Sequence, residues 1–179
     1  MKDQRSYFEK ADFHSDLPLQ FLTSAVGLML VVIELGLAQW PVFYGATPNL
    51  SLIFIYYMVI YHNKLLPIFS IFIIGIIGDF FLSDLLGGRA TALMLLAIIM
   101  RVRLFKLQQG DFSLLWIDFG VSCGLVSVFQ LILFSILNMA IPSINPILFQ
   151  YGVNLILFPI GFVIIFAVHQ LMQKLKLVG

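Results

Sequence analysis

The chain has 179 residues, 61% of them hydrophobic and 11% charged, with a net charge of +1 and a mean hydropathy of +1.04. Soluble domains average about 45–50% apolar and about 25% charged residues, so the composition excludes an ordinary water-soluble core. Near-neutral charge gives no footprint for a nucleic-acid partner, and a single cysteine, Cys123, excludes an intrachain disulfide and a thiolate metal cluster.

Residues 1–17 are polar and of mixed sign, without the short basic region and apolar stretch of a secretory signal peptide. They read as a cytoplasmic tail, and 18–179 as a single transmembrane domain. The apolar runs that follow suit helices crossing roughly 30 Å of hydrocarbon, for which about 17–25 residues are needed. The first span runs over Leu19–Ala38 and stops at "QWPVFYGATPN", where Trp40 and Tyr44 favour the headgroup level and Pro41 and Pro48 end helices. The second, Leu50–Tyr61, is short and is expected to thin the bilayer or to sit inside the bundle. The third, Leu66–Leu82, leads into "GDFFLSDLLGGRATAL". The fourth, Ala90–Val102, ends in the basic "RVRLFK", and the fifth covers Leu114–Leu137. The sixth, Ile147–His169, carries Pro159 in its middle, where a kink is expected.

With the N-terminus inside, the inner segments hold Lys2, Arg5, Lys10, Lys64, Arg101, Arg103, Lys106, Lys174 and Lys176, and the outer loops hold only Arg89. This asymmetry is the positive-inside pattern. The expected fold is therefore an all-α membrane protein, a six-transmembrane-helix bundle with both termini cytoplasmic.

That topology gives the charges a depth. Glu34, Asp79, Asp84 and Arg89 share the outer level, and Asp118 lies at the inner side near Arg101, Arg103 and Lys106. A carboxylate on lipid is costly, so these groups are expected to face the bundle with partners. Asp79 is expected to pair with the Arg89 side chain or with the free N–H groups at the start of the fourth span, where the helix dipole favours an anion. The middles of the first, third and fourth spans are apolar, "AVGLMLVVI", "FSIFIIGII" and "ALMLLAII", which argues against an ion path. Glu34 and Asp79 would act as acid and base only across a cleft between the first and third spans. His14, His62 and His169 fall at cytoplasmic edges without ligand spacing, so no metal, cofactor or catalytic residue is assigned.

Gly120 and Gly124, followed by Ser127, make a small-residue face for close helix approach, with a partner helix inside or outside the chain. Tyr57 and Tyr61 share one helix face as packing and interfacial groups. Gln150 and Asn154, one turn apart, are expected to hydrogen-bond between helices.

Three segments together resemble one family. "TPNLSLIFIYYMVI" is similar to a Pro-Asp-Leu start of the second span, "GIIGDFFLSDLLGGRATALML" to a Gly-x-x-x-Asp followed by a Gly-rich turn, and "LILFPIGFVIIFAVHQLM" to a closing span with a mid-helix aromatic-Pro. On these the chain resembles MreD, the small polytopic inner-membrane subunit of the bacterial rod-shape machinery. Asn49 stands where the family commonly has Asp, and Arg89 adds a charge to the turn. The resemblance implies a non-enzymatic subunit that binds the bitopic protein MreC, sits in membrane lipid, and helps link MreB filaments to the polymerase RodA and its transpeptidase. Glu34, Asp79, Asp84, Arg89, Gly120, Gly124 and Pro159 are the structural or partner-docking candidates. The family is also similar in fold to the six-helix substrate-capture subunits of energy-coupling-factor transporters, which makes small-molecule capture the alternative. Those subunits often carry an Ala-x-x-x-Ala docking stripe in the first span, whereas here Ala25 is followed by Met29 and Ile33.

Overall fold

The computed structural model describes residues 3–40, 47–81, 87–108, 110–139 and 142–174, with side chains described from 18 to 167 apart from 105 and 106. Six helices follow in order: α1 (Asp3–Ala38), α2 (Leu50–Tyr61), α3 (Ile68–Phe81), α4 (Gly88–Gln108), α5 (Phe112–Asn138) and α6 (Ile144–Lys174). Each of the six expected apolar segments falls on one of these helices, and the third begins at Ile68 rather than at Leu66. Helix α1 is longer than the first span, because the backbone runs unbroken from Asp3 through Pro18 to Ala38. A proline inside a helix removes one N–H donor and need not end the helix where the other bonds hold.

Among the described residues three stretches are long and apolar enough to cross a membrane: Pro18–Ala38, Phe112–Asn138 and Ile144–Ala167. By length and composition this is an all-α, multi-pass membrane protein. Helices α2 and α3 are shorter apolar helices. Helix α2 has 12 residues, of which Ser51–Tyr57, Val59 and Ile60 are buried. At 1.5 Å per residue it spans about 18 Å. A helix apolar on every side is stable only when protein or lipid surrounds it, and α2 is surrounded by protein.

Helices α1, α3, α4, α5 and α6 pack in series, each on the next, while α2 lies against α1, α4 and α6. Two devices allow the close approaches. Gly75 of α3 meets the Ala90 backbone of α4, and a Cβ added there would collide with it. Around Tyr56 of α2, the rings of Phe119 and Phe158 stand edge-on at centroid distances of 5.2 and 5.5 Å, and these two stack on each other at 4.1 Å. All three rings are fully buried and join α2, α5 and α6. Such aromatic pairs contribute about 0.5–1.5 kcal/mol each beyond area burial. Tyr57 and Tyr61 are also neighbours at 4.9 Å, and both meet Phe162 of α6.

The small face of α5 has its partner inside the chain. Gly120 lies under Leu155 and Tyr151 of α6, Gly124 lies under Tyr151, and the Tyr151 hydroxyl donates to the Gly120 carbonyl at 3.2 Å. Pro159 sits inside α6, which continues to Lys174. A proline leaves the carbonyl four residues earlier without its helical donor, and here that carbonyl belongs to Leu155. The Trp116 indole N–H of α5 donates to it at 3.1 Å, the kind of re-satisfaction that makes proline tolerable in a membrane helix.

Candidate functional site

The polar residues of the bundle concentrate where α1, α3 and α5 end and α2, α4 and α6 begin. Helix starts leave N–H groups without intrahelical acceptors, and in an apolar interior water cannot supply them. In this chain other helices do. Glu34, on the last turns of α1, accepts the Ser51 backbone N–H of α2 at 2.6 Å. Asp79 of α3 accepts the backbone N–H groups of Gly87, Arg89 and Ala90 at 2.9, 3.1 and 3.3 Å. Asn154 of α6 accepts the Asn49 backbone N–H at 2.8 Å. Each acceptor serves as a cap delivered from a neighbouring helix. The negative ones sit where the positive end of the helix dipole stabilises them.

Arg89 ties these caps together. Its Nη2 donates to Glu34 Oε2 at 2.6 Å and to Ser51 Oγ at 2.9 Å. Glu34 and Asp79 are 0% exposed and Arg89 is 4% exposed, so the ion pair is effectively dry. Removing one member of a buried pair strands the other without water, at about 3–5 kcal/mol. Gly87, at the turn before α4, has φ +87, a conformation that side-chain-bearing residues rarely adopt. It brings residues 87–90 back onto the Asp79 carboxylate.

Of the two partners expected for Asp79, the backbone one is realised. The Arg89 guanidinium goes to Glu34, 55 residues away in sequence. Glu34 and Asp79 are therefore separately engaged rather than facing each other as an acid and base. Asp84 lies outside the described residues.

Ser51 was not singled out from the sequence, because its role depends on Glu34 and Arg89 meeting from two other helices. Asn49 does not use its side chain as a conventional cap on α2. Its Oδ1 instead accepts from Gln150 Nε2 at 3.3 Å, and the same amide donates to the Thr47 carbonyl at 2.8 Å. Of the two amides expected to bond between helices, Asn154 does so, its Nδ2 reaching Cys123 Sγ of α5 at 3.6 Å, whereas Gln150 bonds to the chain just before α2.

At the other end of the bundle Asp118 accepts the Tyr56 hydroxyl at 3.1 Å, and Arg103 approaches it at 3.9 Å with a side chain 60% exposed. Carbonyls in the last turn of α2 and in the turn to α3 take side-chain donors: Gln20 to Lys64, Arg101 to Leu66 and Gln108 to Ile60, at 3.1, 2.8 and 2.6 Å. His62 closes α2, its ring 6.4 Å from Tyr57. Among the described residues no three His, Cys, Asp or Glu side chains cluster as a metal site would require.

A cavity of about 320 Å³ opens beside the Arg89 caps, bounded by the chain before α2, the start of α4, the late turns of α5 and the early turns of α6. Comparisons of this chain with protein-family models, with curated proteins and with solved structures find no match.

Proposed function

We propose that the chain is a non-enzymatic subunit of the bacterial rod-shape machinery, of the MreD kind, resident in the inner membrane. It crosses the membrane six times with both termini in the cytoplasm, which puts the Arg89 end outside and the Arg101–Arg103 end inside, in line with the Lys and Arg distribution. The short α2 counts as a crossing because its burial inside the bundle frees it from matching the bilayer thickness.

The observation that carries a structural rather than a catalytic reading is the engagement of Glu34, Asp79 and Arg89 in interhelical caps and one ion pair. A general acid or base needs to reach a substrate proton, and these carboxylates are closed off inside the bundle. The family is supported by the three sequence segments in their order. The α3–α4 joint that Asp79 makes with the N–H groups of Gly87, Arg89 and Ala90 and the exposed apolar row Ile156, Ile160 and Val163 on α6 suit a subunit held in lipid beside other membrane helices. Its partners are an MreC-like bitopic protein, RodA with its transpeptidase, and through them MreB filaments.

The second reading is small-molecule capture, on a fold similar to the substrate-capture subunits of energy-coupling-factor transporters, and the cavity beside Arg89 favours it. Affinity purification from mild detergent followed by mass spectrometry separates the two. Recovery of MreC and RodA is expected. Recovery of a coupling ATPase pair without cell-wall proteins overturns the assembly reading.

A further inference from the structure

The cavity beside Arg89 has features that helix capping alone does not require. Its volume of about 320 Å³ lies at the small end of the ~300–1,000 Å³ typical of ligand pockets. Among the described residues of its wall Arg89 is the one ionic side chain; it is 4% exposed and bonds its side-chain partners through Nη2 alone, so Nε and Nη1 donate to none of the described residues. Gln130 lines the cavity and forms no hydrogen bond to the described residues. Gln150 uses its Nε2, which leaves its Oε1 as an acceptor, and Asn49 uses its Oδ1, which leaves its Nδ2 as a donor. Phe134 and Leu131 make an apolar wall.

We propose that this cavity binds an uncharged polyhydroxyl group, a sugar ring, either free or carried as the head of a lipid. A hydroxyl both donates and accepts, which matches a wall of amides offering both functions in fixed positions. An anion would find Arg89, the one cation among the described lining residues, already neutralised by Glu34, with the Asp79 carboxylate close behind. A cation would meet the guanidinium. The apolar wall suits the C–H face of a sugar ring. This inference does not depend on the rod-shape reading, since its test concerns occupancy of the cavity and not the identity of protein partners.

The test uses the full chain in phosphatidylcholine nanodiscs carrying Ser127→Cys, which puts a thiol in the cavity wall. The rate of maleimide alkylation is compared with that of the unsubstituted chain, whose Cys123 is buried. Octyl glucoside, below the concentration that disrupts the discs, is expected to slow alkylation several-fold, and octyl phosphate is expected to leave it unchanged. Slowing by free glucose as well identifies a soluble sugar, and slowing by the glucoside alone identifies a lipid-borne one. Gln130→Leu should remove the protection without changing the unprotected rate. Absence of protection by both glucose forms, equal protection by octyl phosphate, or protection that survives Gln130→Leu each overturns the proposal. Leu131→Cys gives a second reporter if Ser127→Cys does not fold.

Discussion

The two ends of the bundle solve the same problem with opposite chemistry. At the Arg89 end the starts of α2 and α4 receive acceptors from neighbouring helices: Glu34, Asp79 and the Asn154 side-chain Oδ1. At the other end α2 finishes and the chain turns toward α3, and the groups brought in are donors: Gln20, Arg101 and Gln108 on the carbonyls of Lys64, Leu66 and Ile60. Helix polarity accounts for the acceptors at the starts of α2 and α4 and for Gln108 on the Ile60 carbonyl, because starts expose N–H groups and ends expose carbonyls, while Lys64 and Leu66 lie in the turn between α2 and α3. The ends differ in wetness as well. The Glu34–Arg89 pair is buried at 2.6 Å, whereas Asp118 and Arg103 stand 3.9 Å apart with the arginine mostly in solvent. A formal salt bridge is thus a structural pin at one end and a surface contact at the other.

Substitutions at the two ends should separate these roles. Arg89→Ala is expected to cost about 3–5 kcal/mol, because Glu34 loses its counterion in a dry site. Arg89→Lys should recover only part of it, since a compact ammonium lacks the guanidinium fork. Unfolding of the purified protein by a denaturing detergent reads both. A loss below that of an ordinary surface substitution would show that water reaches Glu34. Asp79→Ala strips an acceptor from three N–H groups and is expected to cost about 1–3 kcal/mol, seen in the same unfolding curves and as faster hydrogen exchange at Arg89 and Ala90. A loss without faster exchange there would assign the role of Asp79 elsewhere.

Trp116→Phe tests the α5–α6 contact at Pro159. It keeps the ring and deletes the donor to the Leu155 carbonyl, for an expected loss of about 0.5–1.5 kcal/mol. Pro159→Ala should reduce that loss, because the helix then supplies its own N–H, and a double-mutant cycle measures the coupling. Arg103→Ala should be the mildest change, about 0–1 kcal/mol. A larger effect would bring the two ends closer in character than their exposure indicates.

Much of this architecture was legible because it is local. The length of an apolar run, the arrest at "QWPVFYGATPN" and the Lys and Arg distribution depend on neighbouring residues, and they located all six helices. The Gln150 and Asn154 pair announced itself in the same way, as amides one turn apart in an apolar helix. The pairing of charges was less accessible. Asp79 had two candidate partners at similar sequence distance, and which one it takes depends on how far α3 and α4 close on each other, a distance governed by Gly75 against Ala90. Once the turn folds the N–H groups of residues 87–90 onto Asp79, the guanidinium is free to reach α1.

The sequence by itself determined that this chain is an apolar helical bundle with its few charges gathered at helix ends, because burial of charge is too costly for them to lie elsewhere. Only the tertiary structure decided that Glu34, Ser51 and Arg89 form one site, that α2 is enclosed by protein, and that Trp116 serves the carbonyl freed by Pro159. The first of these joins residues 38 and 17 positions apart, and the last residues 39 apart. No periodicity records contacts of that kind, which arise from the order in which the helices pack.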